Sequence, residues 1–330
     1  EMSELPSGAP SSSRASAFTP ARSERFPRLG RGLRTFVINL RRRPDRREHI
    51  EGICRSLDLD YEIIEAVDGQ TLAALPGAAL EIVGAPGTVP TSSAAAPAAS
   101  STIRGWKGLR IRTYRAIWPS EGGGRRSQVL KMAAHRLEPT ELTKPGHELW
   151  GAIGCSLSHQ RVLRRILEDP KLQWALVLED DATLTMSAEE AQKTFAQGME
   201  LISRRHPDWQ LVYLGGHIST ALKAADREDW RISDIVSIAK QVYQTHAFVI
   251  RRDLVEKILP RLERGAAADA AYVSWSKEAE ASEQCFSFLP RQLLVQPGGA
   301  GRWKDSDIFT QGEFFKRAAA WKRADGDYYF

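Results

Sequence analysis

From residue 34 onward, the apolar positions of this chain switch between a period near two and a period near 3.6. Extended runs rich in β-branched and aromatic residues fall at 34–40, 61–67, 174–178, 209–214 and 242–250. The continuous ones, above all Trp174-Ala175-Leu176-Val177-Leu178, read as strands buried on both faces. Between them the helical stripe appears: Ile50, Ile53 and Leu57; then Ile153, Leu157, Val162 and Ile166, ending near Asp169-Pro170. Ser187 with Glu189 and Glu190 opens a helix to about residue 205, and further helices are predicted at 254–262 and from about 268. Short strands follow at 286–289 and 293–296. Strands and helices that alternate in this way predict an α/β fold with a largely parallel central sheet flanked by helices.

Three stretches lack either period. Residues 1–33, rich in Ser, Pro, Ala and Arg, read as a disordered leader. Residues 71–148 read as a long insertion, with an Ala/Ser/Pro/Thr tract at 86–102 and a flexible break at Glu121-Gly122-Gly123-Gly124. A structured piece is expected within it at 106–118, and such segments serve as lids or acceptor-recognition loops or stay disordered. Residues 311–330 form a tail, which leaves one domain at 34–310.

Charge narrows the partners. The formal net charge is +5, and arginines crowd the stretch 28–47. Such a chain can meet nucleic acid, an anionic membrane surface or a phosphorylated small molecule. With no RNA-binding signature and no zinc-finger spacing, nucleic acid is not expected. A membrane contact through charge stays open, but no apolar run reaches the roughly 20 residues of a membrane helix. Cys54, Cys155 and Cys285 are far apart and form no disulfide framework. The chain opens on Glu1, which leaves room for a removed signal or anchor. With the insertion, this favours the secretory pathway (ER or Golgi lumen) over the cytoplasm.

The candidate chemistry sits at strand ends. Glu179, Asp180 and Asp181 follow the 174–178 run, and three adjacent carboxylates repel one another unless a cation or ligand donors lie among them. The carboxyl end of a sheet is also where open α/β folds bind ligands. The bland alternative is an acidic turn. The first strand runs into Arg41-Arg42-Arg43-Pro44-Asp45-Arg46-Arg47, a strand–turn–helix opening with arginines that can grip a pyrophosphate, or a solvated basic run. Asp68 ends the second strand in an Asp-Gly turn. Ser158 and His159 either face a nucleotide or complete a helix–sheet contact.

Five motifs in order resemble glycosyltransferase family 25, which includes lipooligosaccharide and procollagen galactosyltransferases. They are the 36–47 strand and turn; Gly151 to His159 (GAIGCSLSH); Ala175 to Asp181 (ALVLEDD); Thr245 to Ile250 (THAFVI); and Gln296 with Ser306-Asp307-Ile308. The long insertion and the Gly-rich gap before Ser306 depart from the compact pattern. The resemblance implies a GT-A type nucleotide-sugar-binding fold, a UDP-galactose or UDP-glucose donor, a glycan or protein acceptor, and inversion at the anomeric carbon.

Such a reaction needs Mn²⁺ or Mg²⁺ on the diphosphate. Glu179 and Asp181 are the expected ligands, because alternate residues of an extended segment point the same way. Asp180 would then face ribose or an outer group. Asn39, Arg43 and Arg46 are candidates to hold the nucleotide, with Asp68 and Ser158 nearby. Asp269 is the candidate base that the resemblance implies, with helix capping as its alternative; His246 and Asp307 either join the metal or phosphate site or are structural. The competing readings are a catalytically silent relative that binds a glycan or partner, and a metal-dependent phosphohydrolase. The latter would want further Asp, Asn or His ligands that no motif supplies.

Overall fold

Val37 points into the core on one side of its strand, while Phe36 and Ile38 point into the core on the other. Leu176 and Leu178 against Ala175 and Val177 repeat this split, so a strand with no solvent face has no polar positions. The computed structural model describes residues 28–83, 88–90, 103–104, 110–120, 122–133, 147–218, 229–240, 242–278, 281, 283–289 and 291–296.

The chain enters through β1 (Arg34–Asn39), α1 (Pro44–Ser56), β2 (Asp60–Glu65) and the short α2 (Gly69–Ala74). The insertion supplies β3 (Ala79–Ile82), β4 (Thr88–Pro90), β5 (Ile103–Arg104), β6 (Arg110–Pro119) and β7 (Arg125–Ala133). The fold resumes with α3 (His147–Glu168), β8 (Trp174–Glu179), β9 (Thr183–Leu184), α4 (Ala188–Arg205), β10 (Leu211–Tyr213) and β11 (His217–Ile218). It closes with β12 (Ser237–Ile238), β13 (Val242–Tyr243), β14 (Ala247–Arg251), α5 (Arg252–Glu263), α6 (Ala268–Ser276), β15 (Cys285–Ser287) and β16 (Leu294–Val295).

Seven strands form the central sheet in the order β12-β15-β10-β14-β8-β1-β2. β1 runs parallel to β2 and β8, and β10 parallel to β15. β14 is antiparallel to β8 and β10, and β12 antiparallel to β15. Five of the seven strands therefore point one way, as the alternation predicted. Apolar residues of α1 and α4 pack on one face and those of α3, α5 and α6 on the other, a mixed three-layer α/β architecture of the GT-A-like kind.

From β1 the chain passes to β2 on one side, then returns to β8 on the other. The order reverses between β1 and β8, which in open α/β sheets marks the ligand-binding crevice at the strands' carboxyl ends.

Several expectations change. Leu29 and Leu33, placed in the leader, are fully buried in the core beside α1; residues 1–27 lie outside the described residues. The insertion holds a five-stranded antiparallel sheet, β4-β3-β6-β5 with β7 on β6. Its inner face, Leu80, Tyr114, Ala116, Trp118 and Leu130, packs on Leu149, Trp150, Ala152 and Ile153 of α3. The expected flexible break is the β6–β7 hairpin turn, where Gly122 and Gly123 take φ of 91° and 83°. The expected strand at 242–250 is two: β13 pairs with β11, Gln244 turns the chain at φ 71°, and β14 joins the central sheet. Among the described residues no helix is long and apolar enough to cross a membrane.

Candidate active site

The β1–β8 register sets Ile38 opposite Glu179, which brings Asn39 beside Asp180. Asn39 is buried, and its Nδ2 donates to Asp180 Oδ2 at 2.7 Å and to the Arg43 carbonyl at 3.3 Å. The Leu40 N–H also reaches Asp180 Oδ2, at 3.3 Å. Strand β8 stops at Glu179 and the chain turns, Ala182 N–H donating to the Glu179 carbonyl at 3.1 Å. Asp180 and Asp181 both contact Arg46, whereas Glu179 makes its hydrogen bonds to Thr245 and His159. Arg46, 4% exposed on the first turn of α1, places one Nη1 3.3 Å from Asp180 Oδ1 and 3.4 Å from Asp181 Oδ2.

The antiparallel pair β9–β16 sets Val295 opposite Thr183, so Gln296 arrives beside the acids. Its Nε2 donates to Asp181 Oδ2 at 2.9 Å. Asp181 Oδ1 is buried with no hydrogen-bond partner. Burial pushes the Asp181 carboxyl up to about 7; Glu179 adds to this and Arg46 opposes it. Burial likewise raises Asp180, against the pull of Arg46 and Asn39.

Glu179 Oε1 accepts from Thr245 Oγ1 at 2.8 Å and lies 3.3 Å from His159 Nε2. Burial opposes ionisation of Glu179, but His159 and Thr245 outweigh it and its carboxyl is held below the usual range. Cys155, one helical turn before His159 on α3, completes a group of three possible metal-ligating side chains. Its thiol is pushed well above the usual value by burial and then by Glu179, Asp269 and Asp181.

Asp269 lies in the first turn of α6 and is half-buried; its Oδ1 accepts from Ala270 N–H at 2.7 Å. The helix cap is Ala267, not Asp269.

Asn39, Arg46, Asp180 and Asp181 thus meet in one hydrogen-bonded cluster. The other expected donor contacts join neighbouring bonds. Arg43 forks onto Asp45, at 3.0 and 2.8 Å, and holds that carboxyl at about 2. Asp68 caps α2 through Gln70 N–H at 2.9 Å and pairs with Arg42 at 2.6 Å. Ser158 Oγ accepts from Val67 N–H at 2.8 Å and donates to the Gly154 carbonyl at 2.7 Å, tying the end of β2 to α3. His246 is fully buried, its Nε2 3.2 Å from the Leu294 carbonyl. Asp307 lies outside the described residues.

Sequence reasoning passed over Gln296, Thr245 and Cys155 as site residues and favoured a structural role for His159. Their signal was present: all four lie in the recurrent motifs, and Cys155 and His159 have the i, i+4 spacing of one helix face.

The cluster fits a hard divalent cation. Asp180 and Asp181 meet at Arg46, and one buried oxygen, Asp181 Oδ1, has no donor.

A model of the family described as Glycosyltransferase family 25 (LPS biosynthesis protein) matches residues 33–272, well over half of the chain, including Glu179, Asp180, Asp181 and Asp269. Procollagen galactosyltransferase 2 of Homo sapiens is 25% identical over 224 residues, which is 68% of this chain and 27% of that protein. The Mus musculus protein of the same name is 26% identical over 180 residues, 54% of this chain and 20% of that protein. The similarity thus spans roughly a fifth to a quarter of these relatives' length. On its family match over residues 33–272, the chain belongs to glycosyltransferase family 25.

Proposed function

We propose that this protein is an inverting glycosyltransferase that moves galactose or glucose from a UDP-sugar to a hydroxyl of a glycan or protein acceptor. The observation that carries the reading is Asp181 Oδ1, a buried carboxylate oxygen with no partner, set beside Glu179 and Asp180 in the β1–β8 crevice. The word galactosyltransferase in the names of both curated relatives supports galactose over glucose, and procollagen supports a protein hydroxyl acceptor. The same names support the secretory pathway.

Glu179 and Asp181 would hold Mn²⁺ or Mg²⁺, which when bound offsets the charge that grows on the departing diphosphate. Arg46 and Asn39 orient Asp180 and Asp181 so that neither carboxylate must rearrange when the donor arrives. The acceptor hydroxyl oxygen forms a bond to the anomeric carbon as that carbon's bond to the UDP oxygen breaks, and the electron pair leaves with UDP. The acceptor's proton passes to the Asp269 carboxylate, in the first turn of α6.

Calorimetric titration of UDP, with and without Mn²⁺, into the protein and an Asp181→Ala variant tests this. Binding that needs both the metal and Asp181 is expected. UDP failing to bind under every condition would refute the donor site and leave a glycan- or partner-binding relative as the better reading.

A further inference from the structure

Cys155 and His159 are four residues apart on α3 and so share one face of that helix, against the carboxyl end of β8. A sulfur, a ring nitrogen and a Glu179 carboxylate oxygen lie within 4.8 Å of one another. His159 is 1% exposed, stacked against Phe248 with ring centroids 6.1 Å apart, and packed edge-on against Tyr272 at 6.2 Å. Two polar atoms around it, His159 Nδ1 and the Tyr272 hydroxyl, are buried with no hydrogen-bond partner. A histidine held only to orient Glu179 would use its Nε2 contact and leave the thiol as apolar filling. That account explains neither the convergence of sulfur with nitrogen and oxygen nor the unpartnered ring nitrogen.

The donor set decides the class of ion. Mn²⁺ and Mg²⁺ favour oxygen ligands, whereas one thiolate, one imidazole and one carboxylate suit a borderline-soft ion such as Zn²⁺. Tetrahedral zinc with bonds of about 2.0–2.3 Å sets ligand atoms about 3.3–3.6 Å apart. The observed spacing, within 4.8 Å, exceeds this by no more than about 1.5 Å.

We propose that Cys155, His159 and Glu179 form a second, thiophilic metal site that binds Zn²⁺, with its fourth position open. The site shares Glu179 with the donor-side acids but is defined by Cys155 and His159, which the donor reading does not use. It does not depend on that reading.

The test is titration of Co²⁺ alone, as a spectroscopic stand-in for zinc, into the metal-stripped, reduced full chain. Expected are tetrahedral cobalt bands and a thiolate-to-cobalt charge-transfer band that saturate at one equivalent and are displaced by Zn²⁺. Cys155→Ser loses the charge-transfer band. His159→Gln weakens binding by more than the about 10–100-fold that loss of an outer partner costs, and Asp181→Asn retains the band. Circular dichroism verifies that each variant is folded, and either Cys155→Ser or His159→Gln suffices for the decision. The proposal is overturned by absence of the band in the wild-type protein, by its persistence in folded Cys155→Ser, or by its loss in folded Asp181→Asn. No nucleotide is present, so failure here is distinct from failure of UDP to bind.

Discussion

Replacing Asp181 by asparagine should make the metal-free protein more stable above neutral pH, because the fold keeps this carboxyl where ionisation is costly. Its value rises from 3.8 to about 7, with burial the largest cause and Glu179 the next. Between pH 4 and 7 the unfolded chain has released this proton while the folded chain keeps it, so stability falls as pH rises through that window. The penalty is absent below about pH 4 and complete above about pH 7, with a ceiling of roughly 4 kcal/mol at 1.36 kcal/mol per pH unit. An amide has no charge to desolvate, and its oxygen can still accept from Gln296 and Arg46. Chemical denaturation in chelator at pH 4.5 and pH 8 should give stabilities within about 1 kcal/mol of each other at the lower pH. At pH 8, Asp181→Asn should be the more stable, by up to about 4 kcal/mol. Mn²⁺ should narrow this gap by stabilising only the wild type, by about 2.7 kcal/mol at a hundredfold excess over Kd. Equal stabilities at pH 8 in chelator, or a less stable variant, would refute the reasoning.

The inner strands of the central sheet, such as β8, β10 and β14, were legible because they are buried on both faces and leave few polar positions to confuse the period. The inserted sheet was not. Tyr114, Ala116 and Trp118 alternate with Thr113, Arg115 and Ile117, a half-exposed pattern that reads as an arginine-rich irregular stretch when its partner strands are unknown. The carboxylates were legible as a group because like charges in sequence demand an explanation. Their division was not, since one turn after Glu179 sends the side chains to different partners. Gln296 reaches Asp181 only through the pairing of β9 with β16, a contact between residues 115 apart that local spacing cannot encode.

Asn39→Ala should cost about 1–3 kcal/mol by removing the 2.7 Å donor to buried Asp180, and should weaken metal-dependent UDP binding through the displaced acid. Denaturation and calorimetry read the two effects, and unchanged UDP affinity would separate Asp180 from the donor site. Trp118→Ala acts elsewhere: the ring is 7% exposed and meets Trp150 edge-on, with centroids 6.4 Å apart, at the seam between the inserted sheet and α3. Its loss should weaken that seam by about 3–5 kcal/mol, the usual cost of a large aromatic truncated in a core. Along β7, Lys131 N–H donates to the Gly265 carbonyl, three residues before the helix that carries Asp269. The inserted sheet therefore braces the side of the site where the base is proposed, while the side proposed for the donor rests on β1, α1 and β8. Trp118→Ala should accordingly leave metal-dependent UDP binding intact and lower transfer to acceptor. Equal loss of both would mean that the inserted sheet supports the whole crevice and not its acceptor side.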